Sequence, residues 1–188
     1  MTMTTISRRT ALGAAVLLAA AAPVVLARAG NPGLYDYGPA PEFTGIDTWL
    51  NGEPLTMASL RGRVVLVDFW TYSCINCLRT LPYVKQGHAT YKDQGLGVVG
   101  VHTPEFAHER PTANVQTAMR RLGVTYPVAQ DNRYATWKAF DNEYWPAVYL
   151  IDRRGHIMLK HFGEGAYEET EAAIRTLLAE LTPAREGS

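Results

Sequence analysis

Cysteine is scarce in this sequence, whose 188 residues include only Cys74 and Cys77. Two cysteines are too few for the disulfide framework of a small secreted scaffold or for a four-cysteine zinc site. The chain also lacks a surplus of either charge, since 18 lysines and arginines balance 18 aspartates and glutamates. Without a basic cluster, we expect it to bind neither nucleic acid nor an anionic membrane surface. No internal repeat is found, which excludes a repeat array.

The N-terminus has the three-part layout of an export signal. Arg8 and Arg9 precede an almost wholly apolar run over residues 11–27, and the small-x-small tripeptide 27–29 follows as a cleavage site. We therefore predict a signal peptide over residues 1–29 and a periplasmic or otherwise exported protein that is soluble after cleavage. The paired arginines also fit a twin-arginine signal, so twin-arginine and general export both stay open. An uncleaved N-terminal membrane anchor is the alternative.

Strand and helix patterns alternate along the rest of the chain. Residues 30–42 are predicted to form an irregular leader and residues 43–188 one domain. We predict a β-hairpin or a pair of extended pieces over 46–60, strands over 64–70, 96–102, 126–129, 147–152 and 156–162, and helices over 73–92, 112–122, 133–140 and 167–181. This order predicts an α/β fold, with a mixed central sheet flanked by helices and an N-terminal β-hairpin extension.

The two cysteines are three residues apart, where a buried strand gives way to a helix. Side chains at this spacing share one helix face, so a small adjustment closes a disulfide between them. The first cysteine lies where free N–H groups and the helix dipole favour an anion, which lowers the pKa of its thiol. The alternatives are a structural disulfide worth only about 2 kcal/mol, a zinc site that recruits histidines, or two inert thiols.

Four segments carry a family resemblance. The run Val-Asp-Phe-Trp-Thr-Tyr-Ser-Cys-Ile-Asn-Cys over 67–77 resembles the active-site region of the thioredoxin superfamily. Together with Val-His-Thr-Pro-Glu-Phe at 101–106, Tyr-Trp-Pro-Ala at 144–147 and His-Phe-Gly-Glu-Gly at 161–165, it resembles the thioredoxin-like domain of DipZ proteins, and also TlpA and redoxin proteins. The resemblance implies a thioredoxin-like fold and a thiol–disulfide oxidoreductase whose redox carrier is the Cys74–Cys77 disulfide, with no other cofactor and no metal.

The resemblance also implies roles for individual residues. Cys74 would attack the substrate, Cys77 would resolve the mixed disulfide, and the buried Asp68 would accept the proton of Cys77. Pro146 matches the family's cis-proline, which faces the cysteines. The expected substrate groove consists of Trp70, Tyr72, Trp145, Pro146 and Gly163, and the candidates for tuning Cys77 are Glu105 and His102. For these aromatics the alternative is a place in the core, for Asp68 a solvated strand end, and for Glu105 and His102 a structural or solvated role.

Protein thiols and disulfides are the expected partners of a protein that we expect to be a monomer. DipZ proteins fuse this domain to a CcdA-type membrane electron carrier. Because the sequence has no such region, we expect a separate CcdA- or DsbD-like membrane donor. The two residues between the cysteines, Ile75 and Asn76, add no positive charge that would stabilise a thiolate, which favours a reductant over an oxidant.

Two other functions stay open. The spacing of Thr71 and Cys74 resembles the peroxiredoxin active site, although Val67 stands where that family has proline. A peroxiredoxin-like thiol peroxidase is therefore one alternative. The other is a thiol-based copper carrier, because thiolates are soft ligands that suit Cu(I).

Overall fold

The computed structural model describes residues 33–180 and Met1, so all but the first residue of the predicted signal peptide lies outside the described residues. The strands are β1 (Thr48–Leu50), β2 (Val64–Trp70), β3 (Leu96–His102), β4 (Val128–Gln130), β5 (Ala147–Ile151) and β6 (Ile157–Phe162). The helices are α1 (Ile75–Tyr91), α2 (Thr112–Leu122), α3 (Ala135–Ala139) and α4 (Tyr167–Ala179). Over residues 33–180 no helix is long and apolar enough to cross a membrane.

The six strands form one mixed sheet in the order β1-β4-β3-β2-β5-β6. β2 and β3 are parallel neighbours at its centre. On the other side of β2, β5 pairs antiparallel with β2, and β6 pairs antiparallel with β5. Every residue of β2 and β3 is buried. Strands covered on both faces are expected to be continuously apolar, and the apolar runs at 64–70 and 96–102 confirm that expectation. The predicted mixed sheet flanked by helices is therefore confirmed.

Two hydrophobic layers cover the sheet. One layer packs α1, α2 and α4 against one face, and the other packs α3 and the apolar side chains of residues 43–49 and 55–60 against the opposite face. Because successive side chains of a strand point to opposite faces, β2 sends Leu66 and Trp70 into the first layer and Val67 and Phe69 into the second. By the same alternation Asp68 points toward the layer that contains α1.

The predicted β-hairpin extension over 46–60 is wrong. Only β1 forms in this stretch, and it pairs antiparallel with β4 rather than with a second strand after the turn. At the turn, the Asn51 side chain donates hydrogen bonds to the Val124 and Tyr126 carbonyls at 2.9 and 3.3 Å. Beyond it, the Met57 N–H is held by the Glu42 carboxylate at 2.9 Å, so this segment turns into the core instead of pairing.

Three elements, α1, β4 and α3, begin two residues later than predicted. β4 starts at Val128 because Pro127 has no N–H to give to a strand ladder. α3 starts at Ala135 because the Asp131 carboxylate accepts the backbone N–H groups of Ala135 and Trp137, both at 2.8 Å. A side chain that satisfies the free N–H groups of a first turn fixes where a helix begins.

The described part of the leader lies along the outer edge of β6. The N–H groups of Tyr35 and Tyr37 donate to the Met158 and Ile157 carbonyls, each at 2.9 Å. Over residues 33–42 the leader has no regular element of its own, but it covers an edge that would otherwise present unpaired backbone groups.

Candidate active site

Cys74 lies at the start of α1, directly after the loop that leaves β2. It is the N-cap residue of the helix, with extended backbone angles, and its sulfur accepts the N–H of Cys77 at 3.3 Å. The hydrogen bond from the Cys77 thiol lowers the pKa of Cys74 to about 7, helped by the backbone N–H groups of Cys77 and Asn76 and opposed by burial. Cys74 is half-buried, so its thiolate is open to an incoming disulfide.

Cys77 lies in the opposite environment, one turn further along α1. Its side chain packs into the core beneath the helix and only 3% of the residue is exposed. Burial raises the pKa of Cys77 far above that of an ordinary thiol, and the Cys74 and Asp68 charges raise it further. The pair therefore consists of a reactive outer sulfur and an inner thiol that gives up its proton only with help.

Asp68 is buried in the middle of β2, with 2% of its surface exposed. Its Oδ1 finds no hydrogen-bond partner among the described residues. Burial raises the pKa of Asp68 to about 7, and the negative charge of Cys74 adds to the effect. A carboxyl group with this pKa exchanges its proton near neutral pH.

Trp145 and Pro146 lie directly before β5. The peptide bond between them is cis, as the resemblance implies. Trp145 is half-buried, packs against Trp137 with ring centroids 4.1 Å apart and the planes tilted by 38°, and donates its indole N–H to the Thr103 carbonyl at 3.0 Å. The Gly163 N–H donates to the Pro146 carbonyl at 2.8 Å, so the loop after β6 lies against the proline. The structure thus brings Trp145, Pro146 and Gly163 together.

Trp70 does not belong to this rim, and its prediction as a groove residue is wrong. Only 1% of its surface is exposed, and it packs in the core layer of α1. The alternation along β2 turns it inward with Leu66 and Asp68. Tyr72, two residues later, is half-buried, and its hydroxyl donates to the His108 carbonyl at 2.7 Å.

The two tuning candidates lie in different surroundings. His102 is fully buried, stacks on Tyr72, and its Nε2 is 3.3 Å from the Thr71 hydroxyl. Burial lowers the pKa of His102 to about 4, so the ring is neutral at physiological pH. Glu105 is exposed, and its negative charge raises the pKa of Cys74 rather than that of Cys77.

Sequence reasoning missed Glu109, a buried carboxylate in the loop after β3. One oxygen, Oε1, accepts the N–H of Ser73 at 3.3 Å and also the Ser73 hydroxyl. The other, Oε2, accepts the N–H groups of Glu105 and Phe106 at 2.6 and 2.8 Å. The sequence carries no periodic signal for it, because the partner Ser73 is 36 positions away.

A cleft of about 220 Å³ lies between α1 and α4. Gly163 is the one predicted groove residue that lines it, and neither the two cysteines nor Asp68 border it. Among residues 33–180 no group of three or more histidines, cysteines or acids is arranged to hold a metal ion.

Comparisons with known proteins agree with this geometry. A family model described as Redoxin matches residues 37–178. The chain is 50% identical over 157 residues to Protein DipZ of Mycobacterium tuberculosis (strain CDC 1551 / Oshkosh), covering 82% of this chain but only 23% of DipZ. It is 34% identical over 144 residues to the Thiol-disulfide oxidoreductase YkuV of Bacillus subtilis (strain 168), covering 76% of this chain and 95% of YkuV.

A solved structure gives the same fold. The crystal structure of the Thioredoxin-like superfamily protein SPOA0173 superimposes with a TM-score of 0.71 at 27% sequence identity, covering 77% of this chain and 99% of that one. The chain therefore belongs to the Redoxin family within the thioredoxin superfamily, with a DipZ-like domain.

Proposed function

We propose that this protein is exported and reduces disulfide bonds in protein clients by means of Cys74 and Cys77. The observation that carries the proposal is the contrast between the two sulfurs. The outer one is open and has a pKa of about 7, while burial keeps the inner one protonated. In such a pair one thiol attacks the client disulfide, and the other stays protonated until it resolves the mixed disulfide.

The exchange takes two steps. The Cys74 thiolate attacks one sulfur of the client disulfide, which forms a mixed disulfide and releases the other client sulfur as a thiolate. Cys77 then loses its proton and attacks Cys74, which forms the Cys74–Cys77 disulfide and releases the second client sulfur. Two electrons have passed from the pair to the client. We assign the proton of Cys77 to Asp68, because this carboxyl group is buried with the pair and has a pKa of about 7.

The groove for the client is assigned to the edge formed by Tyr72, Trp145, Pro146 and Gly163. An extended client segment can pair with backbone groups beside the cis-proline, as a strand added to a sheet edge does. Ile75 adds apolar surface directly after Cys74, since 60% of it is exposed. This surface fits a protein client better than a small polar thiol.

The peroxidase alternative has less support. It needs the Thr71 hydroxyl beside Cys74, whereas Thr71 is fully buried and its hydroxyl lies 3.3 Å from the His102 ring. No specific observation favours the copper carrier, so neither alternative is proposed as the function.

Trapping tests the proposal directly. The Cys77→Ala variant, produced as the full chain in its host, should accumulate mixed disulfides through Cys74, because resolution is blocked after the first attack. Partners are identified by mass spectrometry after non-reducing purification. We expect exported proteins with disulfides and a CcdA- or DsbD-like membrane donor.

The matched control for trapping is Cys74→Ala, which keeps one cysteine at the same site. It should trap nothing, because the remaining sulfur is buried. Trapping by this control in place of Cys77→Ala would reverse the assigned roles. Partners drawn only from the cytoplasm would contradict export.

The reduction potential tests the direction of electron flow. We expect a value near that of thioredoxin, about −270 mV, measured by equilibration with glutathione. The physical reason is that Ile75 and Asn76 supply no positive charge to stabilise the reduced pair. A potential near −120 mV, the range of strong oxidants, would show that the protein oxidises its clients instead.

A further inference from the structure

Glu109 connects two loops that are far apart in the sequence. Its two oxygens together accept four donors, two from Ser73 before α1 and one each from Glu105 and Phe106 after β3. The Tyr72 hydroxyl adds a parallel link to the His108 carbonyl at 2.7 Å. The loop before Cys74 is therefore held against the loop after β3 at successive residues.

The ionised state of Glu109 is maintained by hydrogen bonds. Burial raises the pKa of its carboxyl group, but the hydrogen bonds from Ser73, Thr71, Phe106 and Glu105 outweigh burial and lower the pKa below its ordinary value. None of the ion pairs formed among residues 33–180 includes Glu109. A buried charge without a counter-ion destabilises the fold, and an apolar residue at the same position often stabilises it at least equally. Its presence beside the nucleophile is better explained by function.

We propose that Glu109 is a positioning residue for thiol–disulfide exchange, whose carboxylate fixes Ser73 and thereby the place at which Cys74 enters the first turn of α1. The proposal rests on the function proposed above, since it takes Cys74 as the nucleophile. Cys74 must keep its extended backbone angles for its sulfur to receive the Cys77 N–H. Ser73 is the residue directly before Cys74, so backbone motion at Ser73 would displace the Cys74 sulfur.

If Glu109 acts by positioning, its loss should raise the pKa of Cys74. If it acts only through its charge, its loss should lower that pKa. Removing a nearby negative charge by itself makes Cys74 a better thiolate, because like charges raise a thiol pKa. Releasing Ser73 raises the pKa of the Cys74 thiol, because the Cys74 sulfur loses well-placed N–H donors. The titratable groups that act on the Cys74 sulfur include Cys77 within α1 and Glu105 in the loop after β3. The Cys74 charge in turn raises the pKa of Asp68 in β2.

The test is the pH dependence of Cys74 alkylation by iodoacetamide in the reduced full chain, with the modified residue located by mass spectrometry. One pH unit below the wild-type midpoint, we expect the rate to fall about tenfold in Glu109→Gln and about threefold in Ser73→Ala. Glutamine cannot replace the carboxylate, since its amide nitrogen would face two donors. Ser73→Ala keeps the charge and the backbone N–H, so its effect is smaller.

Glu105→Gln is the matched control, with the same chemical change four residues earlier in the same loop. It should raise the alkylation rate, because the Glu105 charge opposes the Cys74 thiolate. The proposal is overturned if Glu109→Gln and Ser73→Ala leave the rate unchanged or raise it as Glu105→Gln does. If Glu109→Gln does not fold, as judged by circular dichroism, Ser73→Ala decides alone. Alkylation needs no client or donor, so failed trapping with an intact shift would contradict only the proposed function.

Discussion

Replacing Cys74 by serine should lower the rate of disulfide reduction by about a thousandfold or more. A serine hydroxyl is neither ionised near neutral pH nor able to form the mixed disulfide. The fold should survive, because serine is among the preferred N-cap residues and can accept the same Cys77 N–H at the start of α1. The measurement is the reduction of insulin disulfides with dithiothreitol as electron source, together with a thermal unfolding curve.

Cys77→Ser is the control for this loss. It leaves the Cys74 nucleophile in place, so in the absence of dithiothreitol, which would itself resolve the mixed disulfide, the reduced variant should react once with a disulfide and then stop, with one client bound per chain. Cys74→Ser should show no such first reaction. Retention of more than about a tenth of the wild-type rate by Cys74→Ser would mean that Cys77 or another group starts the exchange.

The central strands and the site at their end could be predicted because their signals are local. β2 and β3 are mostly apolar runs, and the cysteine pair follows β2 within a few residues. The orientation of β2 is harder to predict, because both of its faces are buried and neither is marked as a solvent face. The resemblance implies a place in the groove for Trp70, although counting alternate residues from Leu66 turns it into the core.

Contacts between distant segments could not be predicted. The segment after β1 was predicted to pair across a turn, but the Glu42 carboxylate, 15 residues earlier, holds the Met57 N–H. The bonds of Glu109 span 36 residues to Ser73 and only three or four to its other partners. Such bonds depend on how loops meet after the sheet has formed, and hydrophobic periodicity contains no information about that.

Asp68→Asn should make the folded protein more stable at neutral pH, even though Asp68 is proposed to act in the reaction. Burial raises the pKa of this carboxyl group from 3.8 to about 7. Between these values the unfolded chain is ionised while the folded chain keeps the proton, so stability is present at acidic pH and is lost as the pH rises toward 7. The shift corresponds to about 4 kcal/mol of unfolding free energy at pH 7 and above, which asparagine should recover.

Urea unfolding at several pH values between 4 and 8 measures this gain. The difference between Asp68→Asn and the wild type should grow across that range and level off above pH 7. Asp93→Asn, the same chemical change at an exposed position, is the matched control. A constant difference would mean that Asp68 is ionised throughout.

The same variant should slow the second step of the reaction. Without a carboxylate to accept the proton of Cys77, we expect release of the client from the Cys74 mixed disulfide to fall about a hundredfold at pH 7. The first attack should change little, so the mixed disulfide accumulates in rapid-quench samples. Raising the pH should restore part of the rate, because hydroxide can then take the proton from Cys77. If Asp68→Asn is more stable but releases the client at an unchanged rate, Asp68 destabilises the fold without accepting the proton of Cys77.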